Sequence, residues 1–254
     1  MSGLEDPAAD RRFATTLARG LSVLRAFRPS DQGLGNGEIA RRTGLAKSTV
    51  SRLTFTLASL GYLTHSARDL YRPGPALLVL GNTAAVSIPF VELAGPILQR
   101  LADGTRTLAL LLVRDGDRML IVRTWRPRGV ASLWLEVGHR PPLDGTSSGA
   151  ALLAALPDAA FEALDGAGDL RAARRDAAGQ AVGRGFVIVD PARYFAPGIH
   201  AVAVPFHPPG EAEPVVFTCG APPDMLPEDR MAREVGPALA TAVGELRMLC
   251  GGTR

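Results

Sequence analysis

Cysteine is scarce in this chain: Cys219 and Cys250 are the only two in 254 residues. They lie 31 residues apart, with no Cys-x-x-Cys and no histidine at ligand spacing beside them, which argues against disulfides and structural zinc. The four histidines (His65, His139, His200, His207) show no metal-ligand spacing on one face, so neither metal nor cofactor is implied. No apolar run reaches the roughly 18 residues that span a membrane. The opening MSGLEDPAADRR also lacks the apolar core of a secretion signal. The expectation is a cytoplasmic protein with no membrane partner. Lysine is nearly missing as well: Lys47 stands alone, and every other basic residue is arginine. Internal repeats and low-complexity tracts are absent.

What is present points to two domains, since domains run to about 100–150 residues and 46% of this chain is hydrophobic. The net charge of +3 is unevenly spread. Through Leu80 there are 11 Lys and Arg against 6 Asp and Glu; the remainder has 17 against 19. A basic amino-terminal part beside a mildly acidic remainder suits a nucleic-acid module joined to something else.

The stretch Glu38 to Gly61, EIARRTGLAKSTVSRLTFTLASLG, reads as two helices joined by a tight bend. Ile39 and Ala40 share a face of the first, with Ala40 small enough for a close crossing. Gly44 can take the positive φ of a sharp turn. Val50, Leu53, Leu57 and Leu60 recur at helical spacing along the second. That leaves Lys47, Ser48, Thr49, Ser51 and Arg52 on the outward face near its start, donors suited to phosphates and base edges in a major groove. The alternative is an ordinary helical hairpin with a solvated face.

Residues 1–12 read as a polar, disordered tail. From Phe13 to Arg28 a helix would place Leu17, Leu21, Leu24 and Phe27 against the pair. A turn-rich loop, Pro29 to Gly37, follows, with Asn36 or Gly35 as cap of the next helix. After Gly61, YLTH and LYRPG read as a two-stranded wing, with Arg68 and Arg72 on or beside it and directed at backbone or minor groove. A plain solvated hairpin is the competing reading. Residues 13–74 thus form a winged helix-turn-helix DNA-binding domain. Pro75 to Val86 is helical and too apolar to stand alone, a linker (75–89) whose stripe would pair with a second subunit. Residues 90–254 form an α+β sensor-like domain around a largely antiparallel sheet. Its elements are a helix over Phe90–Ala102, strands at Leu108–Val113, Met119–Trp125, Ser132–Val137, Gly185–Asp190, His200–Phe206 and Pro214–Gly220, a helix GAALLAAL, a helix around Ala159–Leu164, and a long helix over Pro227–Cys250.

The loop Asp144 to Gly149 runs into GAALLAAL. Unpaired amides and the dipole at a helix start favour an anion, and Thr146, Ser147 and Ser148 add hydroxyls, which points to a carboxylate effector. A simple capped helix is the alternative. The same residues spell G-x-S-x-G, with Asp190 and His200 or His207 in hydrolase order. Arg140 to Asp144, with Pro141 and Pro142, cannot be the central strand that a nucleophile elbow needs. Asp190 ends a strand and is a candidate for an effector hydroxyl, or an ordinary loop carboxylate. Trp134 lies on a strand leading to the loop, as pocket wall or as core.

RGLSVLRAF, EIARRTGLAKSTVSRLTFTLASLGYL and YRPGPALLVLG resemble the winged helix of the IclR family of transcriptional regulators. VGHRPPLDGTSSGAALLAALP and GRGFVIVDPARYFAPGIHAVAVPF are similar to that family's effector domain, and the likeness runs from Phe13 to Leu249. The resemblance implies a GAF-like mixed α/β effector domain, dimers or tetramers, and double-stranded DNA with a palindromic or near-palindromic operator. It also implies control by a small, often acidic, effector rather than an enzyme's turnover. Departures fall on effector positions. The segment before GRGF is shortened, Asp190 is followed by PARYFA in place of an acidic run, Ala201 stands where a cysteine often follows Pro-Gly, and Phe217 and Cys219 stand in for two serines. Ala201 and Cys219 thereby join the effector candidates. Two rivals to an effector-controlled regulator stay open: a regulator answering only to a protein partner, and a hydrolase using Ser147.

Overall fold

The computed structural model describes residues 10–86, 88–129, 133, 135–165 and 170–251. Trp134 and most of the expected disordered tail lie outside the described residues. Two units divide between Ile88 and Pro89.

The first unit holds α1 (Thr15–Arg25), α2 (Asn36–Thr43), α3 (Lys47–Ser59), β1 (Leu63–His65), β2 (Tyr71–Pro73) and α4 (Pro75–Val86). Gly44 takes φ 71° and its amide bonds back to the Ala40 carbonyl at 2.9 Å, closing the sharp turn between α2 and α3. Val23, Leu34, Ile39, Ala40, Val50, Leu63 and Tyr71 form the core. Strands β1 and β2 pair antiparallel as a wing, and Leu34 bridges to Tyr71 along its inner edge.

Two expectations are corrected here, the orientation of α1 and the place of Leu60, and the open choice of cap for α2 is decided. Helix α1 is shorter than Phe13 to Arg28, and it buries Gly20 and Val23, not Leu17 and Leu21, which are 62% and 50% exposed. Side-chain-free Gly20 lies over Leu53, which lets α1 approach α3 on that face and turns the larger residues outward. Gly35, not Asn36, caps α2; the Asn36 side chain instead accepts the Thr54 hydroxyl at 2.9 Å, tying α2 to α3. Leu60 lies past the end of α3 and is exposed.

Arg42 fastens the unit electrostatically. It pairs with Asp31 (2.6 Å) and Glu38 (2.7 Å) and donates to the Ala26 carbonyl (2.9 Å). The guanidinium holds Asp31 below the usual carboxylate range, and Arg41 with Arg42 lowers Glu38 from 4.5 to about 2.

The second unit runs α5 (Pro89–Thr105), β3 (Leu108–Asp115), β4 (Arg118–Trp125), α6 (Ser147–Ala155), α7 (Asp158–Leu164), α8 (Arg171–Arg184), β5 (Val187–Ile188), β6 (His200–Phe206), β7 (Val215–Ala221), α9 (Glu228–Arg230), a π-helical turn (Met231–Val235) and α10 (Gly236–Leu249). The sheet order is β4-β3-β7-β6-β5, antiparallel throughout. Helices α6 and α8 cover one face of the sheet, while α5 and α10 pack together on the other. The architecture is the expected winged helix-turn-helix with an α+β carboxy-terminal domain.

The strand expected at Ser132–Val137 is not formed at its described positions: Leu133, Leu135 and Glu136 are irregular and Val137-Gly138 is a turn. The strand expected from Gly185 to Asp190 shrinks to Val187–Ile188. Gly185 terminates α8 with φ 82°, and Asp190 caps a short 3-10 turn over Pro191–Arg193. Helix α8 has no counterpart in the sequence reading, because only Ala177 of its arginine-rich length is buried and no apolar period marks it. The long final helix is interrupted by the π-helical turn just ahead of Pro237, which has no amide hydrogen to donate.

Candidate functional site

Helix α3 has two contrasting sides. Val50 and Thr54 are buried, with Leu53 and Leu57 packed beside them. Lys47, Ser48, Ser51 and Arg52 are exposed, with Thr49 half-buried at the margin. No side chain caps the α3 amides. Arg41 and Arg42 are committed to Glu38 and Asp31, whereas none of the described ion pairs uses Lys47 or Arg52. At the wing, Arg68 sits exposed in the turn between the strands. Arg72 is exposed too, but its Nε donates to the Gln32 carbonyl at 2.6 Å, so this arginine also ties the wing to the loop ahead of α2. The wing tip is set by His65, which stacks on Tyr71 and meets Asp69 at 2.8 Å. One further residue carries no signal in the sequence pattern: Phe55, 71% exposed on the same outer face.

In the second unit, a cavity lies between the start of α6 and the sheet. Leu110, Leu112, Ile121, Ala201 and Gly220 give it apolar walls, and Thr146, Ser148, Tyr194 and Thr218 bring hydroxyls. Its free volume is about 30 Å³, room for one or two waters. The start of α6 is tightly built. The Thr146 hydroxyl donates to the Pro142 carbonyl at 2.9 Å and accepts the Gly149 amide at 2.9 Å. A Cβ on Gly149 would stand 1.9 Å from the Leu143 carbonyl oxygen, so only glycine fits there.

Of the effector candidates, Thr146, Ser148 and Ala201 line this cavity together, but the placement of three others is corrected. Ser147 is fully buried behind the cavity; its hydroxyl donates to the Ala201 carbonyl (2.7 Å) and accepts the Val189 amide (3.1 Å). Asp190 is exposed, accepts the Ala192 amide, and borders a separate groove of about 510 Å³ with Asp144, Asp176 and Arg184. Cys219 faces the opposite side of the sheet: burial pushes its thiol up to about 12 while the Thr107 hydroxyl pulls it down. Phe217 shares that side, against Phe206 and Trp125. Alternation along β7 separates Val216, Thr218 and Gly220 from Phe217 and Cys219, and the small, polar set faces the cavity.

Two residues outside the expected set dominate this cavity. Thr218 is 3% exposed and, among the described residues, its hydroxyl has no hydrogen-bond partner. Tyr194 is half-buried overall with its phenol end inside. Burial pushes that phenol up to about 12, and the Ser147 backbone N–H directed at its oxygen opposes the shift. The signal for Thr218 was available in the period-two pattern of PVVFTCG; that for Tyr194 was not, because it depends on how an irregular loop folds back.

The serine hydrolase alternative finds no support in this geometry. Ser147 hydrogen-bonds to backbone groups, His200 Nδ1 lies 2.8 Å from the Leu226 carbonyl, and Asp190 caps its own turn. Among the described residues, no group of His, Cys, Asp and Glu is placed to hold a metal. Among the described residues, no single helix is long and apolar enough to cross a membrane.

Residues 16–67 match the IclR helix-turn-helix domain, and residues 82–173 match the bacterial transcriptional regulator IclR C-terminal domain. The crystal structure of an IclR family transcriptional regulator from Brucella abortus is 31% identical, covers 96% of this chain and 95% of its own, and superposes with a TM-score of 0.72. The chain belongs to the IclR family of transcriptional regulators. As an IclR-family protein it is a DNA-binding regulator and not an enzyme. The Pca regulon regulatory protein of Pseudomonas putida is 37% identical over 164 residues, which span 64% of this chain and 56% of that protein. An IclR homologue from Microbacterium hydrocarbonoxydans, solved with 4-hydroxybenzoate, shares the fold at a TM-score of 0.67 and 23% identity, with 91% of this chain and 99% of that one covered.

Proposed function

We propose that this IclR-family chain reads a near-palindromic operator through α3 and releases or tightens that grip when a small effector enters the cavity beside α6. The observation that carries the DNA reading is the exposed α3 face, where Lys47, Ser48, Ser51 and Arg52 stand together with no competing ion pair among those described. Thr49 borders the face. Exposed cations at a helix start suit phosphates, and the hydroxyls suit base edges. Arg68 extends the footprint at the wing, with Arg72 contributing what its bond to Gln32 leaves free. Helix α4 buries none of its residues, and Leu78, Val79, Leu80 and Val86 are all exposed. A second copy of the chain is the partner that covers such a surface, giving a dimer or a dimer of dimers and two reading helices per operator.

The orphaned Thr218 hydroxyl carries the effector reading over a regulator that answers only to a protein partner. A buried hydroxyl without a partner costs free energy, and an effector oxygen satisfies it. Thr146, Ser148, Ala201 and the start of α6 complete the site. A metabolite does not fit into about 30 Å³, so Tyr194 and Phe195 must swing aside. An effector oxygen then takes the phenol's place at the Ser147 amide, where the α6 dipole favours negative charge. That swing is the link from ligand to regulation. The complex of the Microbacterium hydrocarbonoxydans homologue supports aromatic carboxylates as first probes.

Two measurements test this. Duplexes selected by the full chain from a random-sequence library should bind wild type, and the Lys47→Ala, Arg52→Ala double variant should lose tenfold or more. Failure to enrich any duplex, or unchanged binding by the variant, overturns the DNA reading. Thermal-shift titration with benzoate and 4-hydroxybenzoate should raise the melting temperature of wild type and leave Thr218→Val unmoved. A shift of equal size in both would remove Thr218 from the site.

A further inference from the structure

We infer that Phe55 reads the methyl group of a thymine, making it a specificity-determining residue of the operator interface. This rests on the reading of α3 as the helix that enters the major groove. Phe55 follows Ser48 by seven residues and Ser51 by four, so the three project from one stripe of the helix. It lies about 10 Å along the axis from Ser48 at 1.5 Å per residue, roughly three base-pair steps further into the groove. The residue is 71% exposed, while the apolar side of α3 is packed on the core behind it.

The chemistry of the face changes along its length. Near the start, Lys47, Ser48, Ser51 and Arg52 offer polar hydrogens. Further on, the Thr56 hydroxyl donates to the Arg52 carbonyl at 2.9 Å and the Ser59 hydroxyl donates to the Phe55 carbonyl at 3.0 Å. Those protons are committed to the helix itself. What the second half presents to a groove is therefore acceptor oxygens and carbon, with no free polar hydrogen on Thr56 or Ser59, and the carbon is centred on the Phe55 ring. The thymine C5-methyl is the apolar group that base edges show in the major groove, and phenylalanine is one of the side chains that pack against it. A single exposed apolar residue is unremarkable on most surfaces. Here it stands on the stripe that carries the polar readers.

The test uses full-length protein and duplexes it selects from a random-sequence library. Each thymine is replaced in turn by deoxyuridine, which keeps base pairing and removes only the methyl. Wild type should bind about fourfold more weakly at one position per half-site, the change expected when one methyl no longer packs against the ring. Phe55→Ala should bind the unmodified duplex at least fourfold more weakly and should no longer distinguish thymine from uracil at that position. Because Phe55 is exposed, the variant's unfolding midpoint should match that of wild type. Uracil substitutions that all stay within twofold for wild type overturn the inference, as does a Phe55→Ala variant that still discriminates. If Lys47→Ala, Arg52→Ala binds as wild type does, the reading of α3 itself has failed, which is a different result from failure of the methyl recognition alone.

Discussion

Helices α3 and α6 both begin with hydroxyl-bearing residues, and the two starts are built oppositely. At α3, Ser48 stands in solvent and no side chain caps the amides. At α6, Thr146, Ser147 and Ser148 are all buried, Thr146 caps the helix, and Ser147 bridges Ala201 and Val189. An open start is chemically available to a large polyanion. A closed one can be reached only by a small molecule that displaces part of the protein. The same residue types therefore face solvent in one unit and are built into the packing of the other.

The largest test of that contrast is Gly149→Ala. A methyl there collides with the Leu143 backbone, so the second unit should lose about 3 kcal/mol or more, as for other severe steric insertions. A loss under 1 kcal/mol by urea unfolding would mean that α6 is not held as tightly as its packing indicates. Next comes the serine pair. Ser147→Ala strands a buried carbonyl and amide and should cost about 1–3 kcal/mol, while Ser48→Ala should stay within about 0.5 kcal/mol. Equal effects would erase the distinction between the two starts. Thr218→Val removes an unsatisfied hydroxyl without changing shape much and should stabilise the unliganded protein by about 1 kcal/mol. A destabilisation would show that the hydroxyl already has a partner.

The two units should also differ in pH response. Glu38 is lowered from 4.5 to about 2 by Arg41 and Arg42, so its contribution to stability is present above pH 4.5 and is lost as pH falls toward 2. Asp31, lowered mainly by its hydrogen bond to Arg42, acts in the same direction. Tyr194 is raised from 10.0 to about 12 by burial, so its contribution is present below pH 10 and is lost as pH climbs through 12. Far-ultraviolet circular dichroism of wild type against Arg42→Ala in acid, and against Tyr194→Phe in base, should show each variant with a flatter response in its own range and an unchanged one in the other.

The bend at Gly44, the burial of Val50 and the capping role of Thr146 were legible in the sequence, because each depends on a residue and its neighbours within one or two turns. The orientation of α1 was not. Four apolar residues at helical spacing marked a stripe, but the small residue Gly20 decided which side met α3. Helix α8 escaped because it buries almost nothing. In the cavity, Thr146, Ser148 and Ala201 were found from their loop and from family resemblance. Cys219 was misplaced by the parity of a single strand, since a one-residue offset moves a side chain to the other face. Tyr194 depends on a loop that returns to α6 from some 45 positions away, a closure that no local pattern encodes.

The most direct test of the open-helix account is the salt dependence of DNA binding. Fluorescence anisotropy on a selected duplex should give a steep, linear fall of log affinity against log salt for wild type. The Lys47→Ala, Arg52→Ala variant should show a slope shallower by about 2, close to 0.9 for each phosphate that is no longer neutralised. Parallel lines for the two proteins would mean that neither cation touches the DNA backbone, and the proposed role of α3 would be contradicted.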